Sequence, residues 1–325
     1  MPTAVLQTQG LTKRYGSLVA VKDLTLEVYE GETFGFLGPN GAGKTTSINM
    51  MCGLLKPDAG RVTVRGVPMA EASDEVRARV GVCPQDIVLW ERLTCLEQLQ
   101  FIGQMYGLSG REARRRGERL LEELDLVEKR KVQARRLSGG MQRRLNLAMA
   151  LVHDPDIVVL DEAEAGLDPQ SRVKVREYIQ SLARHKTVIL TTHNMDEAER
   201  VADRVAIIDR GELLVLDTPQ ALMQRVGTGD VIEIDLNGSL DAAITTQVQA
   251  ILSSVANHDA ASSADPFWLH AAHGTLTMRA LNAIRALPAI LDVLEAAGLA
   301  PGEVRVRQNT LEDVFIQLTG RRLRE

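Results

Sequence analysis

A nine-residue segment near the start of the chain carries the residue types needed to hold a polyphosphate. It reads Gly38-Pro39-Asn40-Gly41-Ala42-Gly43-Lys44-Thr45-Thr46 and completes the pattern GxxxxGK[ST]. In such a loop, backbone N–H groups turn inward around the phosphates, the lysine reaches the outer phosphates, and a hydroxyl contacts Mg²⁺. The apolar segment 33–37 predicts a strand before the loop, and residues 45–55 predict a helix whose N-terminus points at the anion. The alternative, a glycine-rich turn with an exposed lysine, is disfavoured by this strand and helix.

Two further segments supply groups that could act on a bound triphosphate. Ser138, Gly139 and Gly140, within Leu137-Ser-Gly-Gly-Met-Gln142, stand before a predicted helix and offer free N–H groups, a hydroxyl and a positive dipole end. Taken alone, Ser138 could simply cap that helix. The apolar strand 157–160 then ends in Asp161 and Glu162, which it would deliver to the edge of the sheet where phosphates bind. We expect Asp161 to hold Mg²⁺ or its water and Glu162 to orient or deprotonate the attacking water.

Two single residues fit the same site. His193 follows the apolar strand 187–191 and could donate a hydrogen bond to the γ-phosphate as charge shifts during cleavage. Gln85, between a predicted strand and a helical region, could ligate Mg²⁺ or water and sense the γ-phosphate. A lone histidine or glutamine is weak evidence by itself, and the case for both depends on the order of the motifs.

Composition favours a folded, two-domain protein. The chain has 325 residues, of which 45% are hydrophobic and 3% aromatic, and its net charge is −5. The acidic balance and the scarcity of aromatic platforms argue against nucleic acid as a partner. The three cysteines lack zinc-ligand spacing, so we expect reduced thiols in a cytosolic protein. No apolar run approaches the roughly 18–20 residues that span a bilayer, so membrane association would come through a partner.

The hydrophobic pattern predicts a parallel sheet followed by a second domain. Apolar runs at 157–160, 187–191 and 204–208 alternate with helical stretches, which is typical of a parallel sheet buried on both faces. The pattern restarts at Gly227-Thr228-Gly229. The predicted elements are then a strand at 231–236, a helix at 240–255, a loop at 256–265, two strands at 267–279, a helix at 285–297, a strand at 303–307 and a helix at 311–318. This β-α-β-β-α-β order predicts a small ferredoxin-like domain.

Residues 90–135 are helical and charged. Arg111, Arg115 and Arg119 form a stripe interleaved with glutamates. Two interpretations stand: a solvated helix face with i,i+4 ion pairs, or a surface attracted to acidic lipid headgroups.

With these segments in place, the chain resembles the ATP-binding subunits of ABC transporters over about residues 4–220. The matching features, in family order, are the adenine-stacking aromatic Tyr15, Walker A (38–46), Q-loop Gln85, the signature (137–142), Walker B (157–162), the D-loop (166–168) and the switch histidine His193. The ending 309–321 also resembles the daunorubicin-resistance type of exporter subunit. That subgroup resemblance implies export of drugs, antibiotics, ions or lipids.

The resemblance implies an architecture and a role. The fold would be α/β: a P-loop NTPase cassette at 1–224, with a RecA-like core, an antiparallel β subdomain and a helical subdomain at about 86–150, then an accessory α+β domain at 225–325. The activity would be ATP hydrolysis coupled to transmembrane transport. Two copies would pair head to tail around ATP on the cytoplasmic face of the plasma (inner) membrane, and a separate permease would make the membrane contact.

The resemblance also assigns three sets of site residues. The catalytic residues would be Lys44, Glu162 and His193. The nucleotide would be bound by Tyr15, Gly38, Pro39, Asn40, Gly41, Ala42, Gly43, Lys44, Thr45, Thr46, Gln85, Ser138, Gly139, Gly140, Gln142 and Asp168. The Mg²⁺ ligands would be Thr45, Gln85 and Asp161.

One departure from the family pattern stands next to the catalytic glutamate. The family usually has Pro-Thr or Pro-Ser after Glu162, and this chain has Ala163-Glu164. Alanine relaxes a loop that proline would stiffen. We expect Glu164 to face solvent or the rim of the dimer; the alternative is that it points inward and repels the γ-phosphate.

Two rival functions stay open at this stage. One is a soluble ABC ATPase acting in repair, translation or cluster assembly, although neither a second cassette nor a long coiled coil is present. The other is a nucleotide-binding regulator with little turnover, produced by the change at Ala163-Glu164.

Overall fold

The protein, here a computed structural model, is described for residues 3–226, 230–236, 241–256, 267–272, 274–280 and 283–319. It divides into two compact units between Thr218 and Pro219. The helix Pro219–Val226, which contains the predicted boundary at 224/225, packs against the helix Leu311–Thr319 of the second unit. Residues 227–229 and most of the predicted loop 256–265 lie outside the described residues.

The first unit contains two sheets and a set of helices. Its strands are β1 (Ala4–Tyr15), β2 (Leu18–Tyr29), β3 (Thr33–Leu37), β4 (Ala59–Val64), β5 (Val67–Pro68), β6 (Val80–Cys83), β7 (Ile157–Asp161), β8 (Thr187–Thr192), β9 (Arg204–Asp209) and β10 (Glu212–Asp217). Its helices are α1 (Lys44–Met51), α2 (Asp74–Arg77), α3 (Cys95–Met105), α4 (Gly110–Glu123), α5 (Gly139–Leu151), α6 (Pro169–Leu182) and α7 (Met195–Val201).

The central sheet has the order β10-β9-β3-β8-β7-β6. Its strands run parallel except β10, which pairs antiparallel with β9. Every residue of β3, β7 and β8 is buried, as expected for strands covered on both faces. The parallel sheet predicted from the apolar runs is confirmed.

A second, antiparallel sheet covers one side of this core. Its order is β2-β1-β4-β5, and α1 contacts both this sheet and strand β7 of the parallel sheet. Ile48, Met50 and Met51 of α1 join one apolar cluster with residues of both sheets. The helix is shorter than the predicted 45–55, because Gly53 adopts φ 72° and the chain turns there.

The predicted helical region consists of α3, α4 and α5. Thr94 caps α3 with Glu97 in a reciprocal pair, and serines cap α4 and α5. Helices α3 and α4 approach closely at Gly103, where an added Cβ would lie 2.8 Å from the Cβ of Ala113. Within the described residues, no helix combines the length and apolarity needed to cross a bilayer.

The arginine stripe on α4 engages its own glutamates. Arg115 lies 2.7 Å from Glu112, and Arg119 lies 3.1 Å from Glu123. These exposed pairs at i,i+3 and i,i+4 fit the first of the two interpretations, a solvated helix face.

The second unit has its own sheet and core. Its elements are α8 (Pro219–Val226), β11 (Asp230–Leu236), α9 (Ala242–Ala256), β12 (Phe267–Ala272), β13 (Thr275–Ala280), α10 (Ala283–Ala296), β14 (Pro301–Arg307) and α11 (Leu311–Thr319). The sheet order is β12-β13-β11-β14 with every neighbouring pair antiparallel, which confirms the predicted ferredoxin-like arrangement.

Apolar residues from β11, β13, α9 and α10 form the core of this unit. Ile232, Leu252, Ile290 and Leu294 are among its fully buried members. On the other side, Arg307 of β14 joins Glu233 of β11 (2.8 Å) and Asp313 of α11 (2.6 Å). The unit thus combines an apolar core with an ionic attachment of α11 to the sheet.

The core of the second unit gives a stability prediction. Replacing the fully buried Ile290 with alanine should lower the free energy of unfolding of this unit by about 2–5 kcal/mol, since it removes buried methyl groups and leaves a cavity. The matched control is Ile284→Ala on the same helix, where the side chain is 53% exposed and the change should stay within about 0.5 kcal/mol. Urea unfolding can be followed by Trp268 fluorescence in a Trp90→Phe background, and equal effects of the two substitutions would contradict this core assignment.

Candidate nucleotide site

The phosphate loop joins β3 to α1 in a backbone conformation that requires glycine. Gly43 adopts φ 99°, and a Cβ at this position would lie 2.4 Å from the carbonyl oxygen of Ala20. Lys44 starts the helix and is almost fully buried. Its Nζ donates to the carbonyl oxygens of Gly38 (2.7 Å) and Pro39 (3.2 Å). Loop, helix N-terminus and lysine together form a site suited to a polyphosphate.

The acidic residues lie at the carboxyl end of β7, next to β8. Asp161 and Glu162 are both nearly buried. The Thr191 hydroxyl donates to Asp161 Oδ1, and the Glu162 amide donates to the same Thr191 oxygen (3.0 Å). Glu162 adopts φ 50°, a strained backbone conformation for a residue with a side chain. The sheet therefore fixes the backbone positions from which these two side chains extend.

The structure brings the three predicted catalytic side chains into contact. Glu162 Oε1 lies 3.4 Å from Lys44 Nζ, and Glu162 Oε2 lies 2.7 Å from His193 Nδ1. Burial lowers the pKa of Lys44, and the neighbouring Glu162 carboxylate opposes that shift. Lysine, carboxylate and imidazole thus come together from three separate segments of the chain.

One cavity of about 790 Å³ lies above this group. Its lining residues are Tyr15, Leu18, Val19, Ala20, Asn40, Gly41, Gly43, Lys44, Thr45, Thr46, Gln85, Glu162 and Arg210. Leu18, Val19, Ala20 and Arg210 are additions that sequence reasoning missed. The first three follow Tyr15 around the β1–β2 hairpin. The hairpin periodicity in the sequence could have indicated that they lie near Tyr15.

The predicted signature residues do not line this cavity. Ser138 and Gly139 are exposed, and the Ser138 hydroxyl accepts a hydrogen bond from the Met141 amide (3.4 Å) as the cap of α5. Gly140 packs against α6, where an added Cβ would lie 2.4 Å from Ser171 Oγ. Gln142 donates to the Ala134 carbonyl (3.1 Å), and Asp168 caps α6. The expected nucleotide-binding residues therefore form two groups rather than one.

Arg143 on α5 is a site residue that sequence reasoning did not single out. The residue is 3% exposed, and the acceptors of its guanidinium among the described residues are all backbone carbonyl oxygens. The acceptors are Pro84 (2.6 Å), Gln85 (2.9 Å), Asp161 (2.8 Å), Glu162 (2.8 Å) and Ala163 (2.9 Å). One side chain thus ties the segment of Gln85 to the segment of Glu162. An arginine followed by an apolar helical run was the signal for a buried cation.

Glu164 corrects the expectation drawn from the departure in the family pattern. It is 6% exposed, so it faces neither solvent nor a rim. It does not line the nucleotide cavity either, which argues against repulsion of a γ-phosphate. Its carboxylate instead makes two bonds with Arg176 of α6, at 2.6 and 3.1 Å. The physical reason is that a buried carboxylate needs a cation, and α6 supplies one.

The residues expected to hold Mg²⁺ are oxygen donors. Thr45 and Gln85 line the cavity, and Asp161 lies at the strand end beside it. A hydroxyl, an amide oxygen and a carboxylate are ligands that Mg²⁺ accepts, together with substrate phosphates. In the described part of the chain no cluster of three His, Cys, Asp or Glu forms an all-protein metal site. The donor set fits an ion that arrives with a phosphorylated ligand.

Comparison with known proteins agrees with this geometry. A model of the ABC transporter family matches residues 21–165. The linearmycin resistance ATP-binding protein of Bacillus subtilis is 36% identical over 323 residues, covering 99% of this chain and all of that protein. A daunorubicin resistance ATP-binding protein of Streptomyces coeruleorubidus is 37% identical over 318 residues, covering 98% of this chain and 95% of its own length.

Among solved structures, a dimeric ATP-binding cassette in a post-hydrolysis state with ADP and Pi matches with a TM-score of 0.60. It is 27% identical and covers 66% of this chain and 98% of its own. The predicted fold and the resemblance to the daunorubicin-resistance type are confirmed. The protein hydrolyses ATP, and by the full-length similarity to its relatives it belongs to the ATP-binding subunits of ABC transporters.

Proposed function

We propose that two copies of this chain close head to tail around ATP and power export through a separate membrane subunit. The observation that carries the dimer is the position of Ser138 and Gly139. They form an exposed anion site at a helix N-terminus, outside the chain's own nucleotide cavity. A second copy can supply the nucleotide that this site lacks. ATP then bridges the two copies, and its γ-phosphate makes closure depend on nucleotide state.

The side chains in contact define the proposed chemistry. Glu162 accepts a proton from the attacking water, whose oxygen forms a bond to the γ-phosphorus. The bond from that phosphorus to the bridging oxygen breaks, and ADP and phosphate leave. Lys44 stabilises the charge on the phosphate oxygens, and His193 holds the Glu162 carboxylate from the opposite side. When bound through Thr45, Gln85 and Asp161, Mg²⁺ supplies further charge neutralisation.

An exposed apolar patch next to Gln85 supports a membrane partner. Five apolar side chains on α3 and in the segment before it are each at least 40% exposed. We call them the α3 patch: Ile87, Val88, Trp90, Phe101 and Met105. Trp90 and Phe101 meet edge to face with ring centroids 5.1 Å apart. Exposed apolar residues grouped in this way mark protein contacts. We assign the patch to the permease, which would place the chain on the cytoplasmic face of the plasma (inner) membrane.

The names of two relatives support a proposal about the transported molecule. Their names refer to resistance to linearmycin and to daunorubicin. We propose a drug or antibiotic as the exported molecule, with ions and lipids as the wider alternatives. The permease forms the pathway and would decide among them.

Glu162→Gln tests the catalytic and dimer assignments together. The variant should bind ATP, lose at least about a hundredfold in ATPase rate because the base is gone, and accumulate as a closed dimer. Size-exclusion chromatography with saturating ATP, alongside a phosphate-release assay, measures both. The matched control is Glu75→Gln, an exposed carboxylate on α2 that should leave rate and assembly unchanged.

A second substitution separates bridging from simple aggregation. Adding Ser138→Arg to Glu162→Gln should abolish the dimer while ATP still binds, because each copy keeps its own cavity. A monomeric Glu162→Gln at saturating ATP, or an unaffected dimer in the double variant, would contradict the head-to-tail scheme.

Arg143 should control rate rather than affinity. Arg143→Lys keeps the charge but cannot reach five carbonyls, so the Glu162 and Gln85 segments loosen while the phosphate loop is untouched. We expect kcat to fall roughly tenfold to a hundredfold, with the ATP dissociation constant within about twofold. The control is Arg144→Lys, a buried neighbour that bonds the Leu124 and Asp125 carbonyls instead. That control should lower thermal stability without a selective loss of kcat, and the reverse pattern would contradict the role given to Arg143.

The α3 patch gives a separable prediction about the partner. Phe101→Asp should leave basal ATPase activity unchanged, because the side chain is 43% exposed, but lower recovery of the chain with a co-expressed candidate permease. Val127→Asp, an exposed apolar position outside the patch, is the control. Pull-down through a tagged permease measures the difference, and equal recovery of both variants would remove the patch from the interface.

A further inference from the structure

The loop that follows the catalytic glutamate lacks the usual proline and is held by side chains instead. Glu164 Oε2 accepts from Arg176 Nη2 at 2.6 Å, and Oε1 accepts from Nε at 3.1 Å. The side chains are 6% and 23% exposed, respectively. A two-point contact between guanidinium and carboxylate fixes orientation as well as distance. It therefore anchors the loop two residues beyond Glu162 to helix α6.

A second carboxylate extends this contact to the histidine. Glu197, on helix α7, lies beside the Glu164 side chain. Its Oε2 accepts a hydrogen bond from the Thr192 hydroxyl at 2.8 Å. The same Thr192 oxygen accepts from the Asn194 amide at 2.9 Å. Thr192 and Asn194 flank His193 in the chain. Glu197 thus holds the turn that carries the imidazole through the Thr192 hydroxyl.

Two carboxyl groups, those of Glu164 and Glu197, lie near one guanidinium, that of Arg176. Burial, and then the neighbouring Glu164 carboxylate, raise the pKa of Glu197 to about 8. The groups that face it are Glu164 from the loop, Arg176 from α6 and the Thr192 hydroxyl from β8, while Asp196 and Arg200 on its own helix are exposed. The Glu197 carboxyl group therefore keeps its proton at neutral pH, and the two-point contact with Arg176 belongs to Glu164.

We propose that Arg176, Glu164 and Glu197 form a clamp that positions Glu162 against His193 for ATP hydrolysis. The clamp replaces the stiffness of the absent proline with a buried, titratable contact. The three are positioning residues, because none lines the nucleotide cavity. The proposal rests on the catalytic roles assigned above to Glu162 and His193. It goes beyond them by joining the loop after β7 to the turn after β8 through α6.

Steady-state kinetics of Arg176→Met and Glu164→Gln in the full chain test the clamp. Each should lower kcat about tenfold with the KM for ATP within about twofold, since the phosphate loop is unchanged. The double variant should be no slower than the worse single one, because both remove the same contact. The matched control is Lys174→Met on the same helix, which breaks the exposed pair with Asp125 and should keep the parent kcat. Additive losses, or an equal loss in the control, would overturn the proposal.

The pH profile gives a readout that a purely structural role would not change. In the parent, kcat should fall as pH rises through about 8, because Glu197 then loses its proton and places a second negative charge beside Glu164. Glu197→Gln mimics the protonated form, so it should keep the neutral-pH rate and lose this alkaline fall. An unchanged profile in Glu197→Gln would overturn the clamp, even if Arg176→Met failed to fold.

Failure of the clamp can be told apart from failure of the catalytic assignment. If Glu162→Gln turned over at the parent rate, the base would be assigned wrongly whatever the clamp variants did. If Glu162→Gln is inactive while Arg176→Met and Glu164→Gln match the parent, the base stands and the clamp is refuted.

Discussion

The site depends on three parallel strands that end at one edge of a sheet. Strand β3 leads into the phosphate loop, and its neighbour β8 is in register with both β3 and β7. Residues 37 and 192 are partners, as are 161 and 191. Because parallel strands share a direction, their carboxyl ends must meet at the same edge. This constraint brings a lysine, a carboxylate and an imidazole within bonding distance although they lie far apart in the chain.

Buried charge is the second organising feature. The protein supplies partners for two such arginines in different ways. Within the described part of the chain, Arg143 forms no ion pair with a carboxylate and donates to five carbonyl oxygens, so it holds the backbone rather than a side chain. Arg176 faces two carboxylates and fixes side chains. Both arginines approach the segment that carries Glu162, one from α5 and one from α6. That segment holds a residue at positive φ, a strain that surrounding contacts must stabilise.

The expected nucleotide-binding residues lie in two groups, as the proposed head-to-tail dimer requires. The phosphate loop, Gln85 and Glu162 share one cavity, whereas Ser138 and Gly139 present N–H groups to the outside. Arg143 lies on the signature helix and contacts the segments of both Gln85 and Glu162. A displacement of α5 would therefore act directly on the backbone segment that carries Glu162.

The sequence by itself determined the class of fold and predicted that Lys44, Glu162 and His193 share one site, where the structure places them in contact. Glycine spacing and continuous apolar runs depend on local backbone sterics and on burial, and both can be read along the chain. It also predicted the strand and helix order of the second unit, since hydrophobic periodicity is a local property. The packing of α8 on α11 could not be predicted in this way, because no local pattern carries a contact between elements far apart in the chain.

Only the tertiary structure decided where the buried charges find their partners. Glu164 was expected at the surface because a glutamate in a loop is normally solvated, and Arg176 stands 12 residues away on a separate helix. In the sequence Arg143 is one arginine among several, and the carbonyl groups that it contacts come from residues 84–85 and 161–163, which only the fold brings to it. A charge can be buried only when its partners arrive through folding, and the sequence lists those partners without stating which of them meet.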